Sequence, residues 1–452
     1  VLDKIGPKLQ ITVAIWRQTV GHSYYQYKSC KKGLPVTMDL NTTTSNTSVP
    51  NGAQNTAAPT SQATPVPIST NVILASMLQV SPNVSDLVFS PGKPAQVELS
   101  GKLSGVKIGD LAVLTADDTK RIAVDLMAGN SKAQEQLKSQ GACDLSYSVP
   151  GKSRFRVNIF MQRGTCAIVM RVIPTGIPSF EKLQLPAQLK ELVDLKNGIV
   201  LVTGPTGSGK SSTLAAILDV MNETHSYHIV TIEDPIEFIH KHKKSTVHQR
   251  ELHSDTPTFA LALRAALRQA PKVILVGEMR DRETIETALE AAETGHLVFS
   301  TLHTIDASKT VERIVGVFPM AEQQMIRTRL AGCFRWIISQ RLVPRKENAG
   351  RVAAIEILRS NQRTREYMEH GERDGKTLLD AIRDGNLDGM QAFDQELERL
   401  ARAGTISTST ALGYSTNQGN LRLTLSDLIE EEEAPGTLTT SNGASLRQGQ
   451  IQ

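Results

Sequence analysis

The sequence predicts an α/β protein: a parallel sheet with helices on both faces, preceded by a smaller α+β domain and followed by helices. Three observations carry that reading. From residue 199 onward, short apolar runs alternate with glycine loops and helix patterns, as in sheets whose parallel strands are joined by helical crossovers. Between residues 72 and 174, strand-like alternation dominates, most clearly over 153–160. The length, 452 residues, suits roughly three domains of about 150 residues each.

Composition narrows the function classes. Lys+Arg 50 against Asp+Glu 46 leaves a net charge of +4 and a pI of about 8.8. That excess is too small to imply an anionic membrane or nucleic acid as partner, and 4% aromatic residues supply no stacking platform. The four cysteines, Cys30, Cys143, Cys166 and Cys333, form no C-x-x-C pair. This excludes a disulfide scaffold and a zinc ribbon and fits a reducing cytosol. The longest apolar runs are strand-sized, far below the roughly 20 residues of a spanning helix. Asp3, Lys4 and Lys8 interrupt any leader pattern. A cytoplasmic location is expected.

Residues 1–40 carry no assignable pattern. No Asp, Glu, Lys or Arg stands between Asp39 and Asp86, and the first part of that stretch is mostly Asn, Thr, Ser, Ala and Pro. Residues 41–71 are therefore expected to be a disordered linker, too poor in apolar surface to offset the entropy of ordering. Residues 72–173 form the α+β domain, with strands expected at 86–89, 96–99, 153–160 and 167–173. The segment 174–180 contains Pro174-Thr175-Gly176-Ile177-Pro178 and reads as a hinge. The parallel-sheet domain is expected over 181–345, a helical region over 346–410, and a disordered tail over 411–452, which carries an acidic run at 430–433.

The chemistry concentrates in the parallel-sheet block. Gly204-Pro205-Thr206-Gly207-Ser208-Gly209-Lys210-Ser211 matches G-x-x-x-x-G-K-[ST], with an apolar strand before it and a helix starting near Ser212. Glycines let backbone amides converge on phosphate, the helix N-terminus adds positive potential, Lys210 reaches phosphate oxygens and the Ser211 hydroxyl suits Mg²⁺. The strand at 273–276 ends in Gly277-Glu278, which places Glu278 to polarise a water or hold hydrated Mg²⁺. The strand at 229–232 ends in Glu233-Asp234-Pro235-Ile236-Glu237, three carboxylates suited to metal or water. His296 and His303 flank the strand at 297–299, as phosphate sensors or interface contacts. The alternation Arg154-Phe155-Arg156-Val157-Asn158 predicts a cationic strand face in the first domain.

Together, residues 204–211, 231–238, 276–281 and 292–304 resemble the Walker A, Asp-box, Walker B and His-box motifs of the secretion-superfamily hexameric ATPases. Within them the chain looks like the PilT/PilU branch, the type IV pilus retraction motors, and the resemblance covers about residues 72–405. It implies a PAS-like domain hinged to a RecA-like one, a homohexamer, ATP and Mg²⁺ as cofactors, and twitching motility as the readout. It also implies a membrane platform protein of the pilus as partner, with a paralogous pilus ATPase as a further one, and a site at the inner face of the membrane. By motif position, the catalytic set becomes Glu278 as general base with Glu233, Lys210 and His303. Arg156 and Arg171 become arginine fingers, chosen among residues 154–158 and 163–171. The nucleotide is held by residues 204–212 through Ser212, and the metal by Ser211, Glu278 and Asp234.

The chain departs from that pattern at Arg268-Gln269-Ala270-Pro271-Lys272, where the family has two acids, and at residues 363–369, which match the family's retraction-associated helix in part. Two other functions compete. An assembly or secretion ATPase would carry a tetracysteine zinc element, and Cys333 is the only cysteine after Cys166. A non-hydrolysing accessory subunit would lack Lys210, Glu278 or an arginine partner, and all are present.

Overall fold

Two sheets organise the protein, one antiparallel and one mostly parallel. The computed structural model describes residues 68–433, except 110, 175, 347–349 and 374–375. Most of the expected linker, the unassigned start, Thr175 of the hinge and the end of the tail lie outside these residues.

The first sheet comprises β1 (Asp86–Phe89), β2 (Ala95–Leu99), β3 (Lys102–Val106), β4 (Ala142–Val149), β5 (Ser153–Gln162) and β6 (Thr165–Ile173). Its order is β3-β2-β1-β6-β5-β4, antiparallel throughout. Helices Thr70–Leu78, Ala116–Leu126 and Ser131–Gln140 cover one face, where Leu87, Phe89, Phe155, Val157 and Ile159 meet Ile73, Leu74, Met77 and Ile122. The boundary expected at residue 72 moves back: the first helix begins at Thr70, itself buried, because Ile73, Leu74 and Met77 make one apolar helix face.

The second sheet comprises β7 (Gly198–Thr203), β8 (His228–Glu233), β9 (Thr246–Glu251), β10 (Val273–Val276), β11 (Leu297–Leu302), β12 (Phe334–Pro344) and β13 (Arg351–Arg359). The order is β13-β12-β7-β11-β10-β8-β9, parallel except for the β12–β13 pair. Every residue of β7, β10 and β11 is buried, as expected of central parallel strands covered on both faces. The pleat divides them cleanly. Ile199 and Leu201 join the core under helices Arg282–Glu293, Ala307–Val315 and Met320–Cys333, whereas Val200 and Val202 join the core under helix Lys210–Thr224.

Two expectations about the C-terminal part are corrected. The sheet does not end at 345, since β13 follows and pairs with β12 over its whole length. The tail is helical through Gln418–Thr424 and Ser426–Glu433 rather than disordered from 411. Leu421 and Leu425, four residues apart, enter a core with Phe393, Leu397 and Leu412. Asp394 accepts the amides of Thr416 (2.6 Å) and Asn417 (2.9 Å), and Arg402 pairs with Asp427 at 2.7 Å. A few well-spaced leucines inside a polar stretch do this, which composition alone conceals.

Candidate active site

The parallel strands β7, β8, β10 and β11 all end on the same side, so their following residues converge there. After β7 comes the glycine loop. Gly204 has φ 143° and Gly209 φ 91°. A Cβ at Gly204 would run into the Gln340 carbonyl, and one at Gly209 would sit 2.9 Å from Gln340 Nε2. The loop therefore rests directly on β12 and only glycine fits. Gln340 also accepts from Thr213 Oγ1 at 2.9 Å, fixing the first turn of the helix that leaves the loop. Lys210 opens that helix and is buried, its Nζ donating to the carbonyls of Gly204 (2.9 Å) and Pro205 (3.1 Å). Burial pulls its pKa down, against the nearby charges of Glu278 and Glu237.

After β10 comes Glu278. Arg280 Nε lies 2.6 Å from one carboxylate oxygen and His303 Nε2 3.5 Å from the other. His303 follows β11, and its Nδ1 is 3.4 Å from Thr206 Oγ1 of the glycine loop. The chain Thr206–His303–Glu278–Arg280 thus links the phosphate loop to the acid opposite it. After β8 comes the acidic segment. Glu233 accepts from Thr231 Oγ1 (2.6 Å) and Gln249 Nε2 (3.0 Å). Burial raises its pKa although those two bonds oppose the shift. Asp234 and Glu237 are exposed and line the opening.

These groups border one cleft of about 820 Å³, within the size range of cofactor sites. Its walls include Lys210, Ser211, Ser212, Glu233, Asp234, Glu278 and His303, and, from the antiparallel sheet, Arg156. The structure brings Arg156 to the cleft and does not bring Arg171. Arg171 is the cross-strand neighbour of Arg156, yet its Nε bonds Asp86 Oδ1 at 3.0 Å. His296 is also elsewhere. It precedes β11, at the opposite end of the strand from His303, and its Nδ1 contacts the Ala291 carbonyl at 3.0 Å. Of the two histidines, His303 borders the cleft and His296 does not.

Sequence reasoning missed four contributors: Arg280, Gln249, Gln340 and Arg351. Arg280 stood two residues from Glu278, a signal that was available. Gln249, on β9, also accepts the His240 amide and donates to the Phe238 carbonyl, holding the acidic segment in place. Gln340 and Arg351 come from β12 and β13; only the strand order puts them beside the loop.

Residues 115–405 match the type II/IV secretion system protein family. The chain is 45% identical over 327 residues to the type IV pilus retraction ATPase PilT of Pseudomonas aeruginosa, covering 72% of this chain and 93% of that protein. It is 36% identical over 369 residues to the type IV pilus ATPase PilU of the same organism, covering 82% and 94%. A crystal structure of the pilus retraction motor PilT with bound ADP superposes with a TM-score of 0.70 at 43% identity, over 79% of this chain and all of that one. The ATPase DotB of Legionella pneumophila superposes at 0.66 with 30% identity, over 79% and 96%. With the glycine loop, Glu278 and His303 gathered at the ends of adjacent parallel strands, this chain belongs to the type II/IV secretion system protein family, as an ATPase of the PilT/PilU type.

Proposed function

We propose that the chain is a motor of type IV pilus retraction that hydrolyses ATP in the cleft between its two sheets, works as a homohexamer, and acts on a membrane platform protein at the cytoplasmic face. The observation that carries this reading is the meeting of Arg156 with Lys210 and Glu278 around one cleft. Among the described residues no helix is long and apolar enough to cross a membrane.

Each residue has a task. Backbone amides of the 204–209 loop and the N-terminus of the following helix bind phosphate oxygens. Lys210, drawn from its two carbonyls, moves onto the β- and γ-phosphates. Ser211, Asp234 and Glu278 offer a hydroxyl and two carboxylates on the cleft wall, a hard-oxygen set that fits Mg²⁺ sharing its shell with phosphate and water. When bound, Mg²⁺ neutralises phosphate charge. Glu278 takes the proton of the attacking water, and Arg280 and His303 fix the orientation of its carboxylate. Arg156 stabilises charge on the γ-phosphate from the other domain. Contacts to both domains exist only when they are closed, so ATP favours closure and loss of the γ-phosphate releases it.

The test is pilus dynamics in a strain deleted for this gene. Pili that persist and cannot shorten support retraction. Loss of pili would assign the chain to assembly instead, and unchanged dynamics would leave it an accessory subunit.

A further inference from the structure

Strand β5 carries two arginines on one face. Arg154 and Arg156 are two residues apart, so the pleat turns them the same way, while Phe155 and Val157 enter the first domain's core. Arg156 reaches the cleft. Arg154 reaches the second sheet, where its Nη2 lies 2.8 Å from Glu251 Oε2. Glu251 ends β9, and its side chain is 3% exposed. The same oxygen accepts the Ile236 amide at 3.0 Å, inside the acidic segment that borders the cleft. The turn after Glu251 is braced: Asp255 Oδ2 accepts the Glu251 amide at 2.8 Å, and Arg250 Nη2 donates to the Asp255 carbonyl at 3.1 Å. One carboxylate therefore ties the arginine strand of the first domain to the acidic segment of the second.

We propose that Glu251 is a positioning residue: with Arg154 it forms a latch that sets Arg156 at the cleft and communicates closure to the 234–237 segment. The proposal deepens the hydrolase reading above and rests on it. Breaking such a pair inside the closed protein leaves a buried carboxylate uncompensated, whereas opening the domains returns both groups to water. The latch consequently exists only in the closed arrangement. Because Arg156 lies two residues along a paired strand, its placement follows that of Arg154, and a displacement of about 1 Å at a reacting group costs on the order of 10²-fold in rate.

The test uses the full chain with Mg²⁺ and ATP, and a fluorescent ADP as binding probe. Glu251→Gln keeps an acceptor for the Ile236 amide and removes the charge that holds Arg154. The expected result is a kcat lower by about 10²-fold, with KM for ATP and ADP affinity little changed, since ADP has no γ-phosphate for Arg156 to meet. Arg154→Gln should fall as far, the double variant no further, and Arg154→Lys should restore part of the rate. Wild-type kcat in Glu251→Gln, or losses that multiply in the double variant, overturn the latch. Should Glu251→Gln lose ADP through misfolding, Arg154→Gln on the partly exposed partner carries the same two outcomes. Absence of turnover in the unaltered chain would instead defeat the hydrolase reading itself.

Discussion

Several charges of the two sheets are held in opposite ways. In the parallel sheet, Lys210, Glu251 and Glu356 are buried, each with partners close by. In the antiparallel sheet, Arg156 and Arg171 stand exposed on the middle of neighbouring strands. A buried charge is costly to install and must be satisfied: Lys210 finds its partners within the parallel domain, whereas Glu251 takes one of its own from Arg154 of the other sheet. An exposed arginine keeps much of its hydration, so Arg156 borders the cleft at small cost. The difference separates a permanent binding apparatus from a conditional one.

The largest expected effect lies in the permanent half. Lys210→Ala should lower ATP affinity on the order of 10²-fold, because a preorganised charge in a water-poor site is lost. Glu278→Gln keeps the shape and loses the base, so kcat should fall roughly 10²–10⁴-fold while ATP still binds. Turnover and fluorescent-nucleotide titration of the two variants separate binding from chemistry. Near-normal turnover in Glu278→Gln would hand the base role to Glu233, whose carboxylate is already engaged by Thr231 and Gln249.

The same contrast explains what the sequence could reveal. The permanent half is written in contiguous words. A glycine loop after an apolar strand, and acids directly after two others, name Lys210, Glu278 and the 233–237 segment without any structure. Gln340 was illegible because its role depends on β12 lying beside β7, more than a hundred residues away in the chain. The conditional half was legible only as an alternation. Spacing placed Arg154 and Arg156 on one face, but which arginine reaches the cleft depends on how the domain docks. Arg171, equally basic and directly across from Arg156, is held by Asp86 instead. The helices beyond residue 415 were hidden because Leu421 and Leu425 sit in an otherwise polar stretch.

Those two arginines offer the next test. Arg156→Ala should lower kcat roughly 10³-fold, the lower range for an arginine finger, and leave ADP affinity intact. Arg171→Ala removes an ion pair whose arginine is largely in water but leaves the buried Asp86 carboxylate without that partner, so it should lower stability and leave turnover alone. Measuring kcat against protein concentration sharpens the result. An equal loss in Arg171→Ala, together with activity that rises on assembly, would break the comparison within one protomer and place Arg171 at a neighbouring subunit's cleft.

The smallest effect concerns a buried carboxyl group that is not at the cleft, and it asks whether the cost of burying its charge is real where no chemistry offsets it. Glu356 lies on β13 beneath the N-terminus of helix Ala307–Val315, accepting the Ala307 amide at 3.0 Å. Burial pushes its pKa up to about 7 from an ordinary 4.5; the Ala307 bond opposes this, Asp306 adds to it, and Arg341 opposes it. In the folded chain the acid thus stays protonated where the unfolded chain has released its proton. The stability it contributes is complete below about pH 4.5 and is lost as pH rises through about 7. Glu356→Gln fixes the neutral form and still accepts from Ala307. Its unfolding free energy should match that of the unaltered chain near pH 4.5 and exceed it at pH 8, the gap growing across that window and reaching about 3 kcal/mol at most. Taking the difference between the two proteins cancels every other titrating group. A gap that stays constant with pH would mean that Glu356 is ionised in the folded state, held by Arg341 and the helix N-terminus, and that this sheet offsets its buried charges completely even away from the nucleotide.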